Sequence, residues 1–244
     1  MEPIVVTREG RGPEILLVHG GASASTTWRG LAPLAQRWTL ALAHRRGYPP
    51  SPPEPDGRHD FDVDAADLLP LLAARPHVVA HSYGGLGVLL AASRRPDSVR
   101  SLTLLEPALF LPPDDPEVAR FERMGSEVLT HGLDTDPATL REFLRIAGAD
   151  VDDGPLSPDV ARGVRRAHRA RLPREAKPDL AVLRDAGIPT LVVSGDHTPA
   201  IERTCDALAA ELNSERLIVP GAGHFVAAAP GFASGLERFL TSVG

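Results

Sequence analysis

The chain has 244 residues, enough for one domain with a sizeable core, and its 43% hydrophobic and 24% charged residues are ordinary for a globular protein. A formal net charge of -6 argues against a nucleic-acid partner, whose binding surface is usually strongly basic. The one cysteine, Cys205, excludes an intrachain disulfide framework and reads as a small buried side chain.

The N-terminus has no basic start followed by an apolar run, so no signal peptide is predicted. No apolar stretch reaches the roughly 20 residues of a membrane helix. The expectation is a cytoplasmic protein with no membrane partner, either a monomer or a homodimer.

Short apolar runs recur at 4–7, 15–18, 38–43, 77–80, 102–105, 190–193 and 217–219. Most lack polar alternation, which predicts strands buried on both faces of a mostly parallel sheet. Helical patterns lie between them at 61–74, 83–95, 201–212 and 232–240. Strand and helix alternating in this way predict a doubly wound α/β fold. The alternation stops between Pro107 and Gly187, where three helical patterns stand instead, around 118–129, 140–147 and 161–168. The predicted organisation is a core of residues 1–106 and 188–244, with residues 107–187 as a helical cap over the sheet's carboxyl edge. Ligands bind at that edge in open α/β sheets. The Pro-rich stretch 48–55 reads as a stiff surface loop.

The chemistry concentrates in three segments. In Ala80-His81-Ser82-Tyr83-Gly84-Gly85 a strand runs into a serine, and small residues and a helix follow at once. This is the setting of a nucleophile elbow, whose sharp turn needs small neighbours two residues either side; Ala80 and Gly84 meet that need. His19-Gly20-Gly21 ends an earlier strand in a glycine turn. The N–H groups of Gly21 and Tyr83 are the candidate donors to a developing oxyanion. Gly221-Ala222-Gly223-His224 ends the last strand and offers His224 as the base that takes the Ser82 proton. Histidines 59, 77, 131, 168 and 197 read as surface or structural residues.

With Arg46-Gly47-Tyr48 added, these segments resemble the motifs of the α/β-hydrolase family, in the family's order and over nearly the whole chain. The resemblance implies Ser82 as nucleophile, His224 as base, Gly21 and Tyr83 as oxyanion donors, and a cap at 107–187. The family's acid usually lies three residues beyond a glycine after the next-to-last strand. Here Gly195-Asp196-His197-Thr198 puts a threonine there. Two carboxylates remain as candidates: Glu106, at the end of the strand that follows the nucleophile's helix, and Asp196, two residues early. Glu106 is favoured, as some relatives carry the acid at that strand end and a buried carboxylate there needs a partner.

Trp28, Phe110, Phe121, Phe143 and Phe225 are candidate pocket residues. Arg162, Arg165, Arg166 and Arg169 share one helical face and read either as a solvated face or as a basic rim for an anionic substrate. No metal-ligand spacing, phosphate loop or dinucleotide motif is found, so no metal and no cofactor is expected. The expected activity is hydrolysis of an ester, lactone or thioester through an acyl-enzyme on Ser82, with a small acyl substrate that is either free or linked to a carrier or CoA. The rival readings are the same site used for C–C cleavage, perhydrolysis or another biosynthetic step, and a ligand-binding sensor with a vestigial triad.

Overall fold

A computed structural model describes residues 1–244. Its seven strands are β1 Val6–Gly10, β2 Glu14–Val18, β3 Thr39–Ala43, β4 His77–His81, β5 Ser101–Leu105, β6 Thr190–Ser194 and β7 Glu215–Ile218. They form one sheet in the order β1-β3-β2-β4-β5-β6-β7. Only the β1–β3 pairing is antiparallel. Every predicted run is a strand. The bounds shift most at the two edges, β1 and β7. An edge strand has one neighbour and stays partly exposed, so its apolar residues mark the ladder poorly.

The central strands β4, β5 and β6 are buried along their whole length. Successive side chains point to opposite faces, and each face has its own core. Leu16, Val78, Leu102 and Val192 meet Leu86, Leu89 and Leu208 on one side. Ile15, Val79, Leu105 and Val193 meet Trp28, Leu31, Leu236 and Phe239 on the other. The first layer holds α2 Phe61–Leu68, α3 Gly84–Arg94, α7 Leu180–Asp185 and α8 Pro199–Leu212; the second holds α1 Ala24–Trp28 and α9 Phe232–Ser242.

Between β5 and β6 run α4 Pro116–His131, α5 Pro137–Ile146 and α6 Pro158–Ala167. All three start alike, with Asp115, Asp136 or Ser157 as the capping side chain and proline at the first helical position. They share a small core of Val128, Leu140, Leu144 and Val164. The end of the expected insertion behaves differently. In α7, Leu183 joins the core of the sheet layer, so residues 180–185 pack with α3 and α8. That helix is too short for its apolar spacing to stand out in the sequence. Arg171, just beyond α6, ties the insertion to α2 through Asp60 and Asp62 at 3.0 and 2.7 Å. No helix is long and apolar enough to cross a membrane.

Candidate active site

Ser82 sits between β4 and α3 with φ +53°, in the left-handed region that a non-glycine residue rarely occupies. Close approach of the neighbouring turn holds it there: a Cβ on Gly84 would lie 2.2 Å from the His19 carbonyl oxygen, and one on Gly20 would lie 2.7 Å from Ser82 Cβ. The backbone also joins Ser82 to the next strand. Its N–H donates to the Leu105 carbonyl at 3.0 Å, and its own carbonyl accepts from Ala108 at 3.2 Å. Ser82 and His224 both open onto one cavity of about 610 Å³ under the helical insertion. Ser82 Oγ makes no hydrogen bond to His224 or to any other group in this structure.

Glu106 follows β5 directly, is 2% exposed, and has φ +43°. Its carboxylate accepts from His224 Nδ1 at 2.6 Å, from Gly195 N–H at 2.7 Å and from His197 Nε2 at 2.9 Å. Burial alone would raise its pKa. The hydrogen bonds from the two imidazoles outweigh that and bring it down to about 2. His224 turns Nδ1 to Glu106, which leaves Nε2 as the ring nitrogen without a partner in the protein. Asp196 is exposed and only its N–H is engaged, donating to Glu202 at 2.9 Å. The carboxylate beside His224 is therefore Glu106.

His81 ties the loop of His224 to the turn that carries Ser82. Its Nε2 donates to the His224 carbonyl at 2.9 Å, and burial lowers its pKa to about 3, so the ring stays neutral. On the other side, the Gly20 carbonyl accepts from Arg45 Nη1 at 2.9 Å and from His19 Nδ1 at 3.1 Å. A trans peptide points its N–H opposite to its C=O. Anchoring the Gly20 carbonyl inward thus turns the Gly21 N–H outward. Neither the Gly21 nor the Tyr83 N–H has an acceptor within the protein. Both residues line the cavity. Arg45 can stay buried beneath them because Asp64 accepts its Nη2–H at 2.7 Å.

Phe110, Phe121, Phe143 and Phe225 line the cavity as expected. Trp28 does not. It is 3% exposed and packs in the core behind the site, edge-on to His81 at 6.4 Å. The indole is large enough to be needed under the first helix, and that packing takes it away from any substrate. Of the four arginines expected on one helical face, Arg162 and Arg166 line the cavity and Arg165 is exposed outside it, whereas Arg169 lies beyond the end of α6 with φ +68°, so the face has three members. One cluster has metal-binding chemistry: Glu106, His197 and His224, with ligand atoms within 4.8 Å of one another. Both imidazole N–H groups there point at the carboxylate, so the trio is held together by hydrogen bonds.

The sequence profile of the alpha/beta hydrolase fold matches residues 13–228. The chain belongs to the α/β-hydrolase family. This α/β-hydrolase is an enzyme of the hydrolase class, and several of its curated relatives carry hydrolase or esterase names. It is 28% identical to a 2-(acetamidomethylene)succinate hydrolase of Mesorhizobium japonicum, over 91% of this chain and 84% of that one. It is 30% identical to a pimeloyl-[acyl-carrier protein] methyl ester esterase of Methylococcus capsulatus, over 76% of this chain and 72% of that one. In fold it is similar to a thermophilic esterase from Thermogutta terrifontis, with a TM-score of 0.68 and 23% identity over 98% of this chain and 93% of the esterase.

His197 was read from the sequence as a surface or structural histidine, yet it contacts the same carboxylate as His224. The available signal was its place, in the turn after β6 where the family's acid usually stands.

Proposed function

We propose that this α/β-hydrolase cleaves a carboxylic ester, lactone or thioester through an acyl-enzyme on Ser82. His224 Nε2 takes the Ser82 Oγ proton as Oγ attacks the acyl carbon. The N–H groups of Gly21 and Tyr83 receive the charge that forms on the carbonyl oxygen. Glu106 stays ionised and stabilises the imidazolium across the 2.6 Å contact. Collapse breaks the acyl–oxygen or acyl–sulfur bond, and His224 returns its proton to the departing group. Water then attacks the acyl-enzyme with His224 as base, which releases the acid and restores Ser82.

The observation that carries this reading is the Glu106–His224 contact, with the imidazole's other nitrogen left free in a cavity that also holds Ser82 and two unpaired N–H donors. The esterase and hydrolase names of the relatives support it, and point to small acyl substrates, carrier-linked in the esterases. A panel of 4-nitrophenyl esters of increasing acyl length, together with a fluorophosphonate probe, tests it. Wild type should turn over the shorter esters and become labelled once per chain; Ser82→Ala should do neither. Equal labelling of Ser82→Ala would exclude Ser82 as the nucleophile.

A further inference from the structure

The ionised groups that line the cavity nearly all have a counter-charge within reach. Arg45 has Asp64 at 2.7 Å, Arg162 has Asp159, and Glu106 has His224 at 2.6 Å. Arg166 is the exception. It is half-buried, it lines the cavity, and no carboxylate lies within ion-pairing distance of it. Its guanidinium rests instead on the Tyr48 ring, 4.6 Å from the centroid. Burial holds the neighbouring His59 neutral, with its pKa lowered to about 3, so that ring supplies no second cation.

The position of Arg166 relative to the reacting centre follows from Tyr48. The Tyr48 hydroxyl donates to the Gly21 carbonyl at 2.9 Å, and Gly21 offers one of the two N–H donors beside Ser82. Arg166 is thus one aromatic ring away from the oxyanion turn. Another part of the lining, with Phe121, Phe143, Leu144 and Val128, is apolar. A cation without a partner in such a cavity leaves its hydrogen-bonding fork unfilled, and a planar guanidinium best matches a carboxylate.

We propose that Arg166 is the specificity residue of this site and binds a free carboxylate on the substrate, so that the preferred substrates are half-esters or half-thioesters of small dicarboxylic acids. This rests on the acyl-enzyme reading above. The apolar wall takes the methylene chain, the oxyanion turn takes the reacting carbonyl, and Arg166 takes the second carboxylate.

The test compares two chromogenic esters of similar length, 4-nitrophenyl hemiglutarate and 4-nitrophenyl valerate, on wild type, Arg166→Gln, Arg166→Lys and Arg165→Gln. Wild type should favour the hemiglutarate in kcat/KM. Arg166→Gln should lower that preference by roughly 10- to 100-fold, mostly through KM, as expected for a lost charge-assisted hydrogen bond. Lysine should restore part of it, and Arg165→Gln, outside the cavity, should leave it intact. Butyryl-CoA, whose only anions are on the carrier, should lose nothing specific in Arg166→Gln. Thermal unfolding of each variant separates binding from a purely structural latch onto Tyr48. An unchanged preference in Arg166→Gln, an equal loss for both esters with a lower melting temperature, or a selective loss on butyryl-CoA would each overturn the proposal. In all three cases hydrolysis that depends on Ser82 would still stand. Hydrolysis that survives in Ser82→Ala would instead overturn the underlying reading.

Discussion

At the scale of single residues, the carboxylate has the largest predicted effect. Glu106→Gln keeps the shape but removes the charge that steadies imidazolium, and kcat should fall by about 10⁴. Asp196→Asn, at an exposed turn, should stay within about threefold of wild type. A steady-state comparison on one ester is enough, and the reverse pattern would move the acid to Asp196. His197 contacts the Glu106 carboxylate and does not line the cavity, so any effect it has on turnover passes through Glu106. His197→Ala removes one donor from Glu106, a bond to a charged group worth about 1.5–3 kcal/mol, and kcat should drop about tenfold or more. The loss should fall on kcat and leave KM nearly unchanged, because the carboxylate loses its fixed orientation while the cavity lining stays the same. His197→Gln, which keeps an N–H, should recover most of kcat. An unchanged kcat in His197→Ala would leave His197 with only a packing role. Ser82 and Glu106 could be placed at one sheet edge from the sequence because each directly follows an apolar strand run, and His224 because its glycine loop comes after the last run. The partner of His197 and the choice between pocket and core for Trp28 were not legible, because both depend on which neighbour a side chain meets in space, and a ring's spacing along the chain carries no record of that.

At the scale of elements, the contacts that shape the site are glycine contacts between turns. Gly84→Ala would push a methyl against the His19 carbonyl at 2.2 Å, and that carbonyl belongs to the turn carrying Gly21. The turn and the elbow must then move apart. The expected cost is about 1–3 kcal/mol in a urea titration, with a fall in kcat beyond what stability explains. Gly21→Ala meets nothing within 4 Å and should fold as well as wild type. Equal stability losses in the two variants would contradict this account of the turn. All seven strands and the three long helices of the insertion were visible as apolar periods. The short α7 was not, because six residues hold fewer than two turns of pattern. Its burial comes from α3, remote from it in sequence, and from α8, which follows the next strand.

At the scale of the whole molecule, four buried imidazoles set the acid stability. Burial lowers His19 well below its ordinary value, His77 to about 4, and His59 and His81 to about 3. The unfolded chain binds these protons near pH 6.5 and the folded chain does not. The stabilisation is therefore complete above pH 6.5 and is lost as pH falls toward 4. Each group contributes about 1.4 kcal/mol per pH unit in that window. Glu106 acts in the same direction lower down, between its unfolded value near 4.5 and about 2. Urea midpoints should thus fall steeply from pH 6 to pH 4 while changing little from 7 to 8. A flat curve from 6 to 4 would mean that these rings titrate freely in the fold.

The hydrogen bond from Ser82 N–H to the Leu105 carbonyl places Ser82 and Glu106 side by side at the ends of neighbouring strands, β4 beside β5. Their separation is a lattice constant of the fold, insensitive to the breathing of surface segments. Such a machine has no half-dismantled native form. Heating should therefore extinguish turnover and far-ultraviolet ellipticity at the same temperature, and the amide of residue 82 should exchange with deuterium only when the entire sheet opens.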